Sequence, residues 1–494
     1  MLLQLWLRLC RAVFFATFCE TLLSFAFAER QTRNAERRTD INSGIRNKKR
    51  RVYDNVSSSN SLDAARTSSE RCGTTKGSTM KLGFICLNAP GHINPLTTLA
   101  RKLQARNHEV VFLYSSEAAG LPCAPGPQND HVSENLPEVS KMQGDDALEF
   151  GIGAIMAQTE MILESLPAMV EENQIDALII DNIQFYAELG AMHLSLPYIQ
   201  VAAALHFDFS GYTPLSIYGW PPEITAEALD RNHEGLKRFT NLLRKNGAGV
   251  RAYAQRVGLK IDWDDPSFTV SRLASITQVP KAFDFENPYW PPQFHHTGPF
   301  HDIESRPKVE FPWERLTGEP MVYASMGTIL NGRMDVFRTI VAALAQHKDL
   351  QLVLSVGERI DPSQLRPIPG NTIIVKKAPQ LELMKKASVC ITHAGLNTVL
   401  ESLGQGVPQL AIPVTFDQPG VAARIAKNRT GVVTSLDKLT PEHLSTLLGV
   451  VLTDPVYREN ARRLQNAIAE ANGLFVAADL IEEALGVESV GKRI

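Results

Sequence analysis

The stretch from Lys377 to Gln418 gathers residue types that suit one kind of chemistry. An apolar run, Ser388–Thr392, enters a tight His393-Ala394-Gly395 turn. A helical pattern follows, with apolar Leu396, Val399, Leu400 and Leu403. A strand that turns through glycine into a helix aims several backbone N–H groups at one point, and the helix dipole adds positive potential there. That end of a helix suits a phosphate or diphosphate. His393, Asn397 and Thr398 add side-chain donors to it, and Glu401 lies one turn further on. A carboxylate opposes phosphate but accepts hydrogen bonds from ribose hydroxyls. Asp417 and Gln418 follow a second apolar run, Gln409–Val414, that reads as the next parallel strand. Polar groups at the carboxyl end of such a strand lie where α/β sheets bind ligands. Singly, His393 reads as a helix cap and Glu401 as a solvated acid. Together, at this spacing, they read as a nucleotide-sugar site.

A second set lies far upstream. His92 sits in a loop, Asn88–Asn94, after the first apolar strand, and Asp181 ends a later one, Ala177–Ile180. A hydroxyl is a poor nucleophile near neutral pH, so an imidazole must take its proton as it attacks. A carboxylate beside it would fix the tautomer and stabilise the imidazolium. The plainer readings are a loop histidine and an N-cap for the element after Asn182.

In sum, Pro379-Gln380, His393-x-Gly395-x-Asn397-Thr398, Glu401 and Asp417-Gln418 resemble the donor-binding signature of the family 1 UDP-dependent glycosyltransferases. The wording is especially similar to the bacterial zeaxanthin glucosyltransferases and their macrolide-glycosyltransferase relatives, and the resemblance runs from Met80 to about residue 490. It departs at Lys377, which stands where the family carries an aromatic that stacks on uracil. The resemblance implies a GT-B fold: α/β, two Rossmann-like domains facing a central cleft, with acceptor bound by the first and donor by the second. It implies His92 as base and Asp181 as its orienting acid. It implies donor contacts from Gly327, Thr328, Ala378, Gln380, His393, Gly395, Asn397, Thr398, Glu401, Asp417 and Gln418. Inverting transfer of a hexose, glucose by expectation, from a UDP-sugar to a hydroxyl of a lipophilic acceptor follows, with a hydroxylated carotenoid such as zeaxanthin as first candidate. No cofactor and no metal are expected, the UDP-sugar being a co-substrate. Macrolide, sterol or phenolic acceptors, a nucleotide-sugar epimerase or hydrolase, and an inactive ligand-binding homologue are the alternatives.

The elements that must position these residues are legible in outline. Strand Lys81–Leu87, a helix from Pro95 capped by Asn94, and strand Glu109–Tyr114 open a parallel βαβ array. Residues 146–171 pattern as helix, and Tyr198–Val201 as strand. From His206 to about Asp284 the pattern loosens into aromatics, prolines and an amphipathic stretch, Leu236–Val257, suited to an acceptor pocket. The Pro- and charge-rich segment 298–320 reads as a linker. A second βα array opens at Met321–Ala324, with Gly327 and Thr328 on its first turn, and closes with helical stretches at Pro419–Lys427, Pro441–Leu452 and Pro455–Leu485. The expected domains are therefore a leader, 1–79; an acceptor domain, 80–297; the linker; and a donor domain, 321–494.

At 494 residues the chain exceeds one core. With 44% hydrophobic and 21% charged residues and a net charge of −3, it has the balance of a globular protein with no overall basic field for nucleic acid. Residues 1–79 differ, with 14 Lys and Arg against 7 Asp and Glu. Leu2–Ala28 resembles a signal peptide, and the Arg-, Ser- and Asn-rich remainder reads as disordered. An upstream region before a start at Met80, an export or organelle leader, and a membrane-surface tether are the competing readings. The six cysteines are not spaced for metal, and a reducing compartment suits them. A cytoplasmic monomer, with contact with a membrane surface left open, is the expectation.

Overall fold

The computed structural model describes residues 79–126, 138, 142–302, 308–327 and 332–487. The leader, apart from residue 79, and Thr328 lie outside them.

Two parallel sheets carry the chain. In the first, β1 (Lys81–Ile85) leads to α1 (Pro90–Gln104), β2 (Glu109–Leu113) and a short β3 (Cys123–Ala124). Then come α2 (Gly144–Asn173), β4 (Ala177–Asp181), α3 (Glu188–Leu194) and β5 (Tyr198–Ala202). Two helices, α4 (Ala226–Asn246) and α5 (Ala248–Arg256), precede β6 (Ser275–Thr277) and β7 (Phe294–His296). The strand order is β3-β2-β1-β4-β5-β6-β7, with every pairing parallel. The strands are short apolar runs because helices cover both faces; all of β4 is buried.

The second sheet starts with β8 (Met321–Ser325), α6 (Met334–Leu344), β9 (Gln351–Ser355) and β10 (Thr372–Val375). It continues through α7 (Gln380–Met384), β11 (Ala387–Thr392), α8 (Leu396–Gly404), β12 (Gln409–Ala411), α9 (Gln418–Asn428) and β13 (Gly431–Val433). Its order is β10-β9-β8-β11-β12-β13, again all parallel. Helices α10 (Pro441–Thr453), α11 (Pro455–Ala471) and α12 (Gly473–Ala484) close the chain. This is the expected two-Rossmann architecture.

Four features differ from the sequence reading. Helix α1 starts at Pro90, not Pro95, so His92 is in its first turn and Pro95 is inside it. Pro90 at the first helical position costs no hydrogen bond, which lets the helix begin early. The loosely patterned region hides β6, three residues long and too short to show a period. The run Gln409–Val414 is strand only to Ala411. Finally, the last described helix, α12, does not pack within the second lobe. Ala477, Ala478 and Ile481 of α12 are buried in the first lobe's core with Leu82, Phe84, Leu99 and Leu103. Arg106 binds Asp479 and Glu482 across the same contact, at 2.6 and 2.8 Å. Sequence order does not reveal which sheet a terminal amphipathic helix covers.

Candidate active site

In each sheet the order reverses beside one central strand, and ligands bind outside the carboxyl ends there. In the first sheet that place lies between β1 and β4, with Ile85 registered against Ile180. The segment leaving β1 therefore starts α1 beside the end of β4. His92 Nδ1 lies 2.7 Å from Asp181 Oδ2. The Asp181 side chain is fully buried and that of His92 is 12% exposed. Burial pulls the His92 pKa down. The charge and hydrogen bond of Asp181, with help from Asp417, more than reverse this and leave it above the ordinary 6.5.

In the second sheet the reversal lies between β8 and β11, with Ser325 registered against Thr392. The turns leaving these strands carry Gly327 and His393-Ala394-Gly395. Ala394 adopts φ 64°, which closes the turn before α8. The His393 ring fills the space between the two glycines: a Cβ at Gly327 would lie 2.5 Å from it and one at Gly395 2.4 Å. Burial pushes the His393 pKa down to about 4, against the pull of the Ser325 carbonyl. A neutral donor thus sits at the helix end at neutral pH.

One cavity of about 780 Å³ spans both sets. Its lining includes His92, Gly327, Ala378, Gln380, His393, Gly395, Asn397, Thr398, Glu401, Asp417 and Gln418. Asp181 stands behind His92. Of the residues singled out by sequence, only Thr328 cannot be placed.

Several have partners that define what they can do. Glu401 is buried, and its Oε2 accepts from Gln380 Nε2 at 2.5 Å. Gln380 Oε1 in turn accepts from the Tyr323 hydroxyl at 2.9 Å. Gln418 Oε1 accepts from the amides of Val414 and Thr415, at 2.9 and 3.2 Å, so its NH2 is the group left for a ligand. Asp417, at the N-cap of α9, accepts from the Leu205 amide at 3.0 Å, and burial raises its pKa. Asn397 was expected among the phosphate donors. Its Nδ2 instead donates across the cleft, to Gly91 O at 2.5 Å and Ala203 O at 3.4 Å. Lys377 lines the cavity mouth and pairs with Glu358 at 3.3 Å.

The first lobe's share of the cavity is apolar, with Ile152, Ile155, Ile183, Phe185, Phe207 and Phe239. The Phe416 ring reaches it from the second lobe; a Cβ at Gly151 would lie 2.7 Å from that ring. Sequence reasoning missed three residues that seat the lobes: Gln278, Asp284 and Arg424. Asp284 Oδ1 accepts from Arg424 Nε at 2.8 Å, and its Oδ2 faces His296 Nε2 at 2.7 Å and His206 Nε2 at 3.1 Å. The three His and Asp side chains are close enough to surround a cation, but Arg424 already supplies the countercharge. No spacing in the sequence joins these residues.

Residues 262–469 match the model of a family described as UDP-glucoronosyl and UDP-glucosyl transferase. Zeaxanthin glucosyltransferase of Pantoea ananas is 29% identical over 409 residues, covering 80% of this chain and 93% of that protein. NDP-glycosyltransferase YjiC of Bacillus subtilis (strain 168) is 25% identical over 410 residues, covering 81% and 96%. Among solved structures, the glycotransferase of kitacinnamycin superposes with a TM-score of 0.66 at 22% identity, over 82% of this chain and 99% of that one.

Proposed function

Because residues 262–469 match the UDP-glucoronosyl and UDP-glucosyl transferase family model and this chain is a glycosyltransferase that joins a nucleotide-sugar donor to a small-molecule acceptor, we propose that it transfers glucose from UDP-glucose, with inversion, to a hydroxyl of a lipophilic acceptor such as a hydroxylated carotenoid. The observation that carries this reading is the His92–Asp181 pair, which faces, across one cavity, the turn that starts α8. The acceptor hydroxyl loses its proton to His92 Nε2 as its oxygen attacks the anomeric carbon. Asp181 stabilises the imidazolium that forms. The bond to the diphosphate breaks on the far side of that carbon. A base on one lobe and a leaving-group site on the other suit a single displacement, and hence inversion.

The departing diphosphate gains charge. The amides starting α8, the His393 ring and the Thr398 hydroxyl would receive it. We assign this neutralisation to the helix end with no metal. Gly327 gives the phosphates close access, Ala378 and Gln380 flank the nucleoside, and Glu401 accepts from ribose. Asp417 and the Gln418 NH2 take sugar hydroxyls. The apolar lining supports a lipophilic acceptor, as does the similarity to a zeaxanthin glucosyltransferase.

The test offers the full chain UDP-glucose and zeaxanthin in detergent with EDTA present, and follows UDP release and the carotenoid mass. A gain of one or two hexoses, a β-glucoside by NMR, and loss of transfer in His92→Ala with UDP still bound are expected. Near-normal turnover in His92→Ala would sink the base assignment. UDP-glucose breakdown without acceptor would favour a hydrolase, and a requirement for added metal would overturn the metal-free assignment.

A further inference from the structure

Pro95, inside α1, has no N–H, so the carbonyl four residues earlier, Gly91 O, lacks its helical donor. Gly91 immediately precedes His92 in the chain. The donor that Gly91 O receives comes from the other lobe, from Asn397 Nδ2 at 2.5 Å. Asn397 is the second residue of α8, the helix whose start faces the diphosphate site. Its remaining groups are also committed. Nδ2 reaches Ala203 O, at the end of β5, at 3.4 Å. Oδ1 accepts from Gln278 Nε2 at 2.9 Å, and the same Gln278 nitrogen donates to Ala203 O at 2.6 Å. Turning the Asn397 amide over would set its oxygen against two carbonyls and its nitrogen against an NH2, so only one orientation pairs. Nothing on this side chain is left for a phosphate.

We propose that Asn397 is a positioning residue for His92: it fastens the first turn of α1, through the carbonyl that Pro95 frees, to the helix end that receives the diphosphate. The inference rests on the reading of His92 as base. Base and leaving-group site belong to different lobes, and a shift of about 1 Å between them can cost about a hundredfold in rate. The Asn397 bridge ties the residue next to His92 directly to the start of α8. Asp181, on β4, and Asp417, at the start of α9, are the charged groups facing the imidazole, so its titration reports where the first turn of α1 sits.

The test compares Asn397→Ala, Pro95→Ala and their double variant with the native chain. UDP affinity is read by calorimetry, and the His92 imidazole titration by NMR of the Cε1–H. Turnover is read with UDP-glucose and zeaxanthin. Asn397→Ala should leave the UDP Kd within about threefold and move the His92 pKa down towards its ordinary value. It should lower kcat by about tenfold to a hundredfold. Pro95→Ala returns an N–H that competes for Gly91 O, so it should act in the same direction more weakly. The double variant should be no worse than Asn397→Ala, because both act on one carbonyl.

A tenfold or greater loss of UDP affinity in Asn397→Ala, with the His92 titration unmoved, would overturn the proposal and return Asn397 to the phosphates. Additive effects of the two substitutions would overturn it as well. Should Asn397→Ala fail to fold, Pro95→Ala alone carries the titration test. If His92→Ala keeps turnover, the base reading fails. If His92→Ala is inactive while Asn397→Ala keeps native kcat and an unmoved His92 titration, only the positioning role fails.

Discussion

A histidine that must accept a proton works only while neutral, and His92 is held above its ordinary pKa by the carboxylates around it. Activity should therefore fall on the acid side at a pH above the usual histidine range. Asp181→Asn removes the charge beside the imidazole and leaves only a neutral amide to face Nδ1. The acid limb of kcat/KM should then move to lower pH while the maximum drops by about a hundredfold or more. A pH–rate profile of the two forms checks both, and an unmoved limb would show that Asp181 does not touch the base. Most site residues were readable one by one in the sequence. His92, Asp181, Glu401 and Asp417 are polar groups at the ends of apolar runs, and that placement is local. The partner of Asn397 was not readable, because Gly91 is 306 positions away.

The elements that matter are two turns, each leaving a central strand, and the helices they start. The turn before α8 works because the His393 ring rests on Gly395 and Gly327. Gly395 has φ −62°, which any residue adopts, so the demand for glycine there is steric. Gly395→Ala should displace the ring and weaken UDP binding by about tenfold to a hundredfold, the 1–3 kcal/mol typical of overpacking. Calorimetry with UDP reads this directly, and native affinity would mean that the ring moves aside freely. The strand–turn–helix segment was legible because periodicity switches at the glycine. The start of α1 was misplaced because two prolines, Pro90 and Pro95, both suit a helix start, and only packing selects the first.

At the scale of the molecule, α9 joins the lobes. It begins at the cavity wall and is anchored by Arg424 on Asp284, both buried, with Lys427 and Asn428 donating to the carbonyls of Asp284 and Phe283. Burial alone would raise the Asp284 pKa. Arg424 and the imidazoles of His206 and His296 reverse this and hold it well below the usual carboxylate range. Arg424→Met strands that charge and should cost about 3–5 kcal/mol in urea unfolding, much of it recovered by adding Asp284→Asn. Equal stability of the single and double variants would show that the charge finds another partner. Two buried histidines, His393 and His206, make stability fall on the acid side. The folded-state pKa of His393 is about 4, below its ordinary 6.5, so the unfolded chain takes up a proton there first. That contribution to stability is complete above pH 6.5 and declines as pH falls towards 4. His206, lowered by burial, acts in the same direction. His393→Asn should flatten the decline between those limits, measured as the urea midpoint against pH.

The sequence by itself determined the two parallel βα arrays, the glycine turn that starts α8 and most of the polar side chains that line the cavity. Each of these follows from patterns within about 30 residues, where periodicity, glycine and helix caps act. Tertiary structure alone decided how the halves meet. It returned α12 to the first lobe, gave Asn397 to Gly91, and paired Asp284 with Arg424. Those choices depend on which distant carbonyls and charges lose water together when the lobes close. A buried group must find a partner wherever the fold delivers one, and no local pattern records where that is.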